Sequence, residues 1–259
     1  MRKKVALVLS MGGARGIAHI GVIEELLQQG FEITSIAGSS MGALVGAMYA
    51  SGQMEVCKEW LYSWDQYKMW RLADISLSRE GLVKGNRFIK ELKKKIPNID
   101  IEDLPIPYAA LATDIAHRKE IVFDKGNLHD AVRASISIPL IFYPLQQDGM
   151  ILMDGGIMNP IPLKYVKRIK GDILIAVDVN AQIKPLKKMT INPRTIYMES
   201  SLLKLQQIAR YELLETPPDL LIQTSVDDYG ILDFYKAKEL VKQGIEATRK
   251  SLRLKPDLL

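Results

Sequence analysis

Apolar residues in this chain fall into two patterns that take turns. A short unbroken β-favouring run at residues 5–9 predicts a buried strand, and further strands are expected at 31–37 and near 108–113, 120–124, 150–153, 172–178 and 220–224. Between the first two runs, Ile17, Ile20, Val22, Ile23, Leu26 and Leu27 recur at helical spacing until Gly30 ends the pattern. A second helix, rich in small residues, is expected over 43–50, and others near 194–214 and 234–252. Strand, glycine turn, helix thus occurs twice in the first fifty residues. Strands alternating with helices predict an α/β fold, a three-layer sandwich with a mainly parallel central sheet covered on both faces.

Nothing in the pattern divides the chain. There is no internal repeat, low-complexity tract or Gly/Ser linker, so a single domain over 1–259 is expected. Its motif-bearing core occupies about 5–180, and a C-terminal helix-strand-helix about 194–252. Lys and Pro collect at 181–192, but Pro217-Pro218-Asp219 and the strand behind it return to the same sheet.

Composition narrows the class. With 47% hydrophobic and 25% charged residues the chain is an ordinary globular one, and 35 Lys+Arg against 30 Asp+Glu leave a mild +5. That excess suits an anionic surface without demanding nucleic acid, and no nucleic-acid partner is expected. No apolar run approaches the ~20 residues of a spanning helix. The basic start followed by residues 5–9 imitates a leader, but it runs into a glycine loop and is read as a first strand. The one cysteine, Cys57, forbids an internal disulfide and a multi-thiolate metal site, which points to a reducing, cytoplasmic setting, with the inner membrane face as a possible docking place. No metal and no cofactor is expected, because no His/Cys/Asp group has ligand spacing.

Three glycine-bounded motifs carry the chemistry. Gly38-Ser39-Ser40-Met41-Gly42 matches G-x-S-x-G, in which a sharp strand-to-helix turn pushes the serine oxygen outward and the flanking glycines relieve a backbone collision. Three fixed positions match by chance in about one chain in ten, so the strand before and the helix after matter more than the letters. Gly12-Gly13-Ala14-Arg15-Gly16 follows the first strand, where bare amides beside a helix start suit a developing anion. It lacks the Gly-Lys-Ser/Thr ending and the G-x-G-x-x-G spacing of nucleotide loops. Asp154-Gly155-Gly156 ends the run at 150–153. In a parallel sheet the C-terminal strand ends share one edge, so the three motifs are expected to form one site.

In this order, Gly-Gly-Ala-Arg-Gly, Gly-Ser-Ser-Met-Gly and Asp-Gly-Gly resemble the patatin-like phospholipase family. Ala112-Thr113-Asp114, the run from Ala131 to Pro139, and Asn159-Pro160-Ile161-Pro162 resemble its bacterial intracellular members. The resemblance implies a serine lipid acyl hydrolase acting on phospholipid or lysophospholipid esters. Ser40 would be the nucleophile, Asp154 the base, and Gly12 and Gly13 the oxyanion hole. Gly16, Gly38, Gly42, Gly155 and Gly156 would support them. Met11 stands where the family carries a further glycine; its amide still serves if its side chain points away from substrate. Arg15 either braces the loop or is a surface arginine.

The residues themselves agree with a dyad. Only three histidines exist, His19, His117 and His129, and none follows Asp154, where a Ser-Asp-His order would place one. His19 is expected to be packed or capping, His117 and His129 to lie in loops or at the surface. An acyl-carrier transacylase would need a histidine base, for which His129 is the candidate. A catalytically quiet membrane or regulatory module on the same fold is the other alternative.

Trp60, Trp64 and Trp70 cluster with Tyr62, Tyr67 and Met69. Trp60, Trp64 and Tyr67 follow helical spacing, either as an interfacial or acyl-covering face or as a satellite core. Lys84, Arg87, Lys90, Lys93, Lys94 and Lys95, broken by Glu91, form either a basic face for an anionic membrane or a solvated helix face.

Overall fold

The structure is a computed structural model that describes residues 2–67, 86–139, 142–182, 192–225 and 229–258. Its strands are β1 (Lys3–Leu9), β2 (Phe31–Ser39), β3 (Tyr108–Asp114), β4 (Lys119–Phe123), β5 (Leu145–Gln147), β6 (Met150–Asp154), β7 (Ile173–Gln182) and β8 (Leu220–Ser225). The helices are α1 (Ala18–Gln28), α2 (Met41–Ala50), α3 (Met54–Tyr62), α4 (Asn86–Leu92), α5 (Leu128–Ser135), α6 (Pro193–Glu215) and α7 (Ala237–Arg253). Among the described residues no helix is long and apolar enough to cross a membrane.

One sheet runs in the order β5-β6-β3-β2-β1-β7-β8, with β4 also paired to β3. From β3 through β2, β1 and β7 to β8 every pairing is parallel, as the alternation of strands and helices predicts. Residues of β1 alternate between two cores. Val5, Leu7 and Leu9 face the core that also holds α1, α2 and α7, whereas Ala6 and Val8 face the one reached by Ala209 of α6. The second face is lined largely by small side chains, among them Ala6, Ala37, Ala109 and Ala176.

The remaining strands depart from the expected direction. β4, β5 and β6 form an antiparallel extension, so the strand ahead of Asp154 does not run with the others. β4 pairs with β3 over Ala110 to Asp114, which leaves β3's opposite edge to both β2 and β6. They divide it: the last β2 partner, Ser39, sits opposite Leu111, and the last β6 partner, Asp154, opposite Ala112. Two strands pointing toward each other along one edge therefore end at adjacent register positions.

Trp60 and Trp64 belong to the core. They stack edge to face with 5.0 Å between centroids, and Phe88 of α4 and Phe234 close around them. Both indoles are buried in the main core, neither an exposed interfacial face nor a separate satellite; Tyr67 is 76% exposed. Trp70, Met69 and Lys84 lie outside the described residues. The α4 helix buries Phe88 and Leu92 and leaves Arg87 and Lys90 outward, with Lys93 and Lys94 exposed just beyond its end.

Candidate active site

The chain leaves β2 at Ser39 and enters α2 at Met41, so the whole reversal falls on Ser40, whose φ of 56° is in the left-handed region. A side chain held there costs about 1–3 kcal/mol and persists only where its surroundings dictate it. Here the dictation is steric. A Cβ on Gly38 would lie 2.4 Å from the Gly42 carbonyl carbon, and one on Gly42 would lie 2.3 Å from the Leu9 carbonyl oxygen. Strand and helix can approach this closely only with both side chains missing. Ser39 secures the strand end by donating its hydroxyl to the Asn159 carbonyl at 2.6 Å.

Where β2 stops, β6 arrives. The Ser40 hydroxyl donates to Asp154 Oδ2 at 2.5 Å, across 114 residues of sequence. The Gly156 amide donates to Asp154 Oδ1 at 2.8 Å. Ser40 and Asp154 are nearly out of solvent, at 2% and 4% exposure. Burial pushes the Asp154 carboxyl up to about 6, against the opposing pull of the hydrogen bonds from Ser40 and Gly156. Gly155 allows the approach, because a Cβ there would meet the Leu111 carbonyl oxygen at 2.2 Å.

The loop after β1 is held at many points. Asn180 of β7 donates its side-chain amide to the Met11 carbonyl at 2.6 Å, and Arg15 donates to Asn180 Oδ1 at 3.1 Å and to the Tyr229 carbonyl at 2.8 Å. Arg15 is thus a brace rather than a free surface residue. The Ala14 amide donates to the Ile231 carbonyl at 2.9 Å. The Gly12 and Gly13 amides donate to no acceptor among the described residues. Gly16 packs on Met41 and Gly156 on the Met11 side chain.

Met11 itself leaves the expected set of anion donors. Its amide is committed to the Pro160 carbonyl at 2.9 Å, an acceptor supplied by the segment after Asp154. The amide that sequence reasoning did not single out is that of Met41. The first intrahelical bond of α2 runs from Leu44 N–H to the Ser40 carbonyl, so the Met41, Gly42 and Ala43 amides precede the helical ladder. The elbow pattern held that signal, since the residue after the nucleophile stands at a helix start.

The histidines are elsewhere. His19 is fully buried in α1 and donates from Nε2 to the Ser10 carbonyl at 2.8 Å; burial pushes it down to about 4, so it is neutral and serves as a strut for the loop. His117 sits at a turn with Nδ1 2.5 Å from Asp114 Oδ2. His129 is buried, not at the surface as expected, because α5 turns it inward to donate to the Ile96 carbonyl at 2.9 Å. Among the described residues no group of three His, Cys, Asp or Glu side chains could hold a metal ion.

Comparison with known proteins finds several relatives. The uncharacterized NTE family protein Rv1063c of Mycobacterium tuberculosis is 43% identical over 177 residues, covering 68% of this chain and 49% of its own. Lysophospholipase NTE1 of Coccidioides immitis is 30% identical over 280 residues, covering 98% of this chain and 18% of its own. This chain thus spans about half the length of its mycobacterial relatives and less of the fungal ones. Among solved structures, VipD from Legionella pneumophila aligns over 96% of this chain and 67% of its own, with a TM-score of 0.49 and 16% identity. The family model for patatin-like phospholipase matches residues 7–167, and the chain belongs to that family.

Proposed function

We propose that the chain is a serine lipid acyl hydrolase that cleaves carboxylic esters of phospholipids or lysophospholipids through a Ser40-Asp154 dyad. The observation that carries the reading is the 2.5 Å bond between two buried side chains that the sheet brings together from distant sequence. Family membership and the lysophospholipase relative supply the substrate class.

Each proton has a place to go. As Ser40 Oγ attacks the ester carbonyl, its hydrogen passes along the existing bond to Asp154 Oδ2. The carbonyl oxygen takes up negative charge facing the amides of Gly12, Gly13 and Met41. Asp154 then returns the proton to the departing alcohol, leaving an acyl-serine. Water attacks that ester with Asp154 again accepting a proton, the fatty acid leaves, and the serine is restored. A carboxyl near 6 suits both halves, because it is mostly ionised at neutral pH yet basic enough to share a hydroxyl proton. His129, the base that a transacylase reading requires, is already bonded to Ile96.

The test is labelling with a fluorophosphonate, in which Ser40 Oγ bonds to phosphorus and fluoride leaves, followed by product analysis on a panel of lysophospholipids and diacyl phospholipids. Labelling and fatty-acid release should both vanish in Ser40→Ala with the melting temperature nearly unchanged. Persistent labelling at another serine, such as Ser135, would overturn the assignment.

A further inference from the structure

Both dyad residues hang from one short turn that takes no part in the proton transfers. Ser135, the last residue of α5, is fully buried, and its hydroxyl oxygen accepts the Ser40 backbone N–H at 2.9 Å. Two residues on, the Ser137 carbonyl accepts the Asp154 backbone N–H at 3.0 Å. The turn is itself fastened. Arg133 donates to the Ser137 hydroxyl at 2.5 Å and to the Tyr143 carbonyl at 2.9 Å, and the Ser137 hydroxyl donates to the Arg133 carbonyl at 2.9 Å.

The Ser40 amide needs such a partner. It lies past the last β2 pairing and ahead of the first intrahelical donor of α2, so neither ladder offers it an acceptor. Its backbone is also the strained point of the elbow, held at a φ of 56°. From these contacts we infer that the C-terminal turn of α5 is a clamp that sets the distance between the two dyad main chains, with Ser135 a positioning residue for the nucleophile. The inference rests on the assignment of Ser40 and Asp154 above. Removing the Ser135 oxygen leaves the Ser40 amide buried without an acceptor and lets the elbow relax, carrying Oγ away from Asp154. A displacement of about 1 Å at a reacting atom lowers turnover by as much as 10²-fold.

The experiment compares purified Ser40→Ala, Ser135→Ala and the pair Ser135→Thr and Ser135→Val with the wild type, on one lysophospholipid across pH. Ser135→Ala should lose about 10- to 100-fold in kcat with KM changed less than about twofold. Its acid limb should also move to higher pH. The Ser40 hydrogen bond pulls the Asp154 carboxyl down, so a serine that has turned away leaves the carboxyl harder to ionise. A merely structural role for Ser135 would not shift that limb. Thr, which keeps the oxygen, should stay well above Val, which has the same shape without it, and this pair decides the matter even if Ser135→Ala does not fold. Wild-type kcat and an unmoved limb in folded Ser135→Ala, or equal rates for Thr and Val, would overturn the clamp. Hydrolysis surviving in Ser40→Ala would instead overturn the dyad beneath it.

Discussion

Two buried carboxylates lie on strands of the sheet, Asp154 at the end of β6 and Asp178 within β7, and burial pushes both up to about 6. Their surroundings differ. Asp154 faces a serine hydroxyl held at a strained turn and takes a second bond from Gly156. Asp178 takes the Asn180 amide at 2.9 Å and borders a void of about 10 Å³ shared with Ser10, Met11 and Gln206, at the lower limit for one water. An elevated carboxyl is thus a common result of burial, and it becomes a base only where a proton to be removed lies within reach.

The largest effect should separate the two outright. Asp154→Asn keeps the shape and removes the acceptor, so hydrolysis should fall by at least about 10²-fold. Asp178→Asn should keep activity within a few-fold, since its carboxylate bonds to the Asn180 backbone amide and not to Ser40. Comparable losses in both, measured as kcat on one ester with folding checked by circular dichroism, would erase the distinction.

Next comes pH. Wild-type activity should rise through an apparent pKa of about 6 and level off above it, because Asp154 must be ionised to accept the serine proton. The limb should stay in place in Asp178→Asn. A limb that moves or disappears in that variant would assign the titration to the wrong strand.

Stability should show the same two groups behaving alike. A carboxyl raised in the folded state favours folding below its unfolded value near 3.8 and loses that contribution as pH rises through about 6. At pH 7.5 each ionised carboxylate therefore weakens the fold, and Asp178→Asn should be more stable to unfolding than wild type by on the order of 1–3 kcal/mol. The advantage should shrink between pH 6 and 4. Thermal melts across that window that showed no change would mean that Asp178 is better solvated than its burial implies.

The smallest effect concerns the surface. With Trp60 and Trp64 in the core, any attraction to anionic vesicles falls to exposed cations such as Arg87, Lys90, Lys93 and Lys94. Binding should weaken as salt rises, and neutralising Lys90 and Lys93 together should reduce it by several-fold with little change in turnover on a soluble ester. Flotation with phosphatidylglycerol vesicles at two salt concentrations measures it.

Local signals were legible in the sequence and distant partners were not. The β1 run, the Gly38 to Gly42 elbow and the Asp-Gly-Gly turn each depend on neighbours a few residues away, and each has its expected form. The direction of β6 was misjudged because a four-residue apolar run does not say which way its partner points. Met11 was misread as an anion donor because the acceptor that occupies its amide, the Pro160 carbonyl, comes from the far end of the motif-bearing core. His129 looked like a loop residue because α5 is short, and its inward face appears only once Ile96 lies beneath it. Helical spacing did place Trp60 and Trp64 together, but spacing cannot tell a buried stripe from a wet one.

The head-on meeting of β2 and β6 along β3 also bears on how the protein is made. A ribosome finishes the elbow early, and the serine is then only one more hydroxyl, because its acceptor is still more than a hundred residues from being synthesised. Closing so long a loop is among the slower events of folding, and here it must be completed before β6 can take the vacant half of that edge. On the proposed dyad, hydrolytic competence should therefore arrive late and all at once. If the proposed dyad holds, a half-folded chain carries a nucleophile that cannot fire, and onset of activity during refolding should time the docking of a single strand.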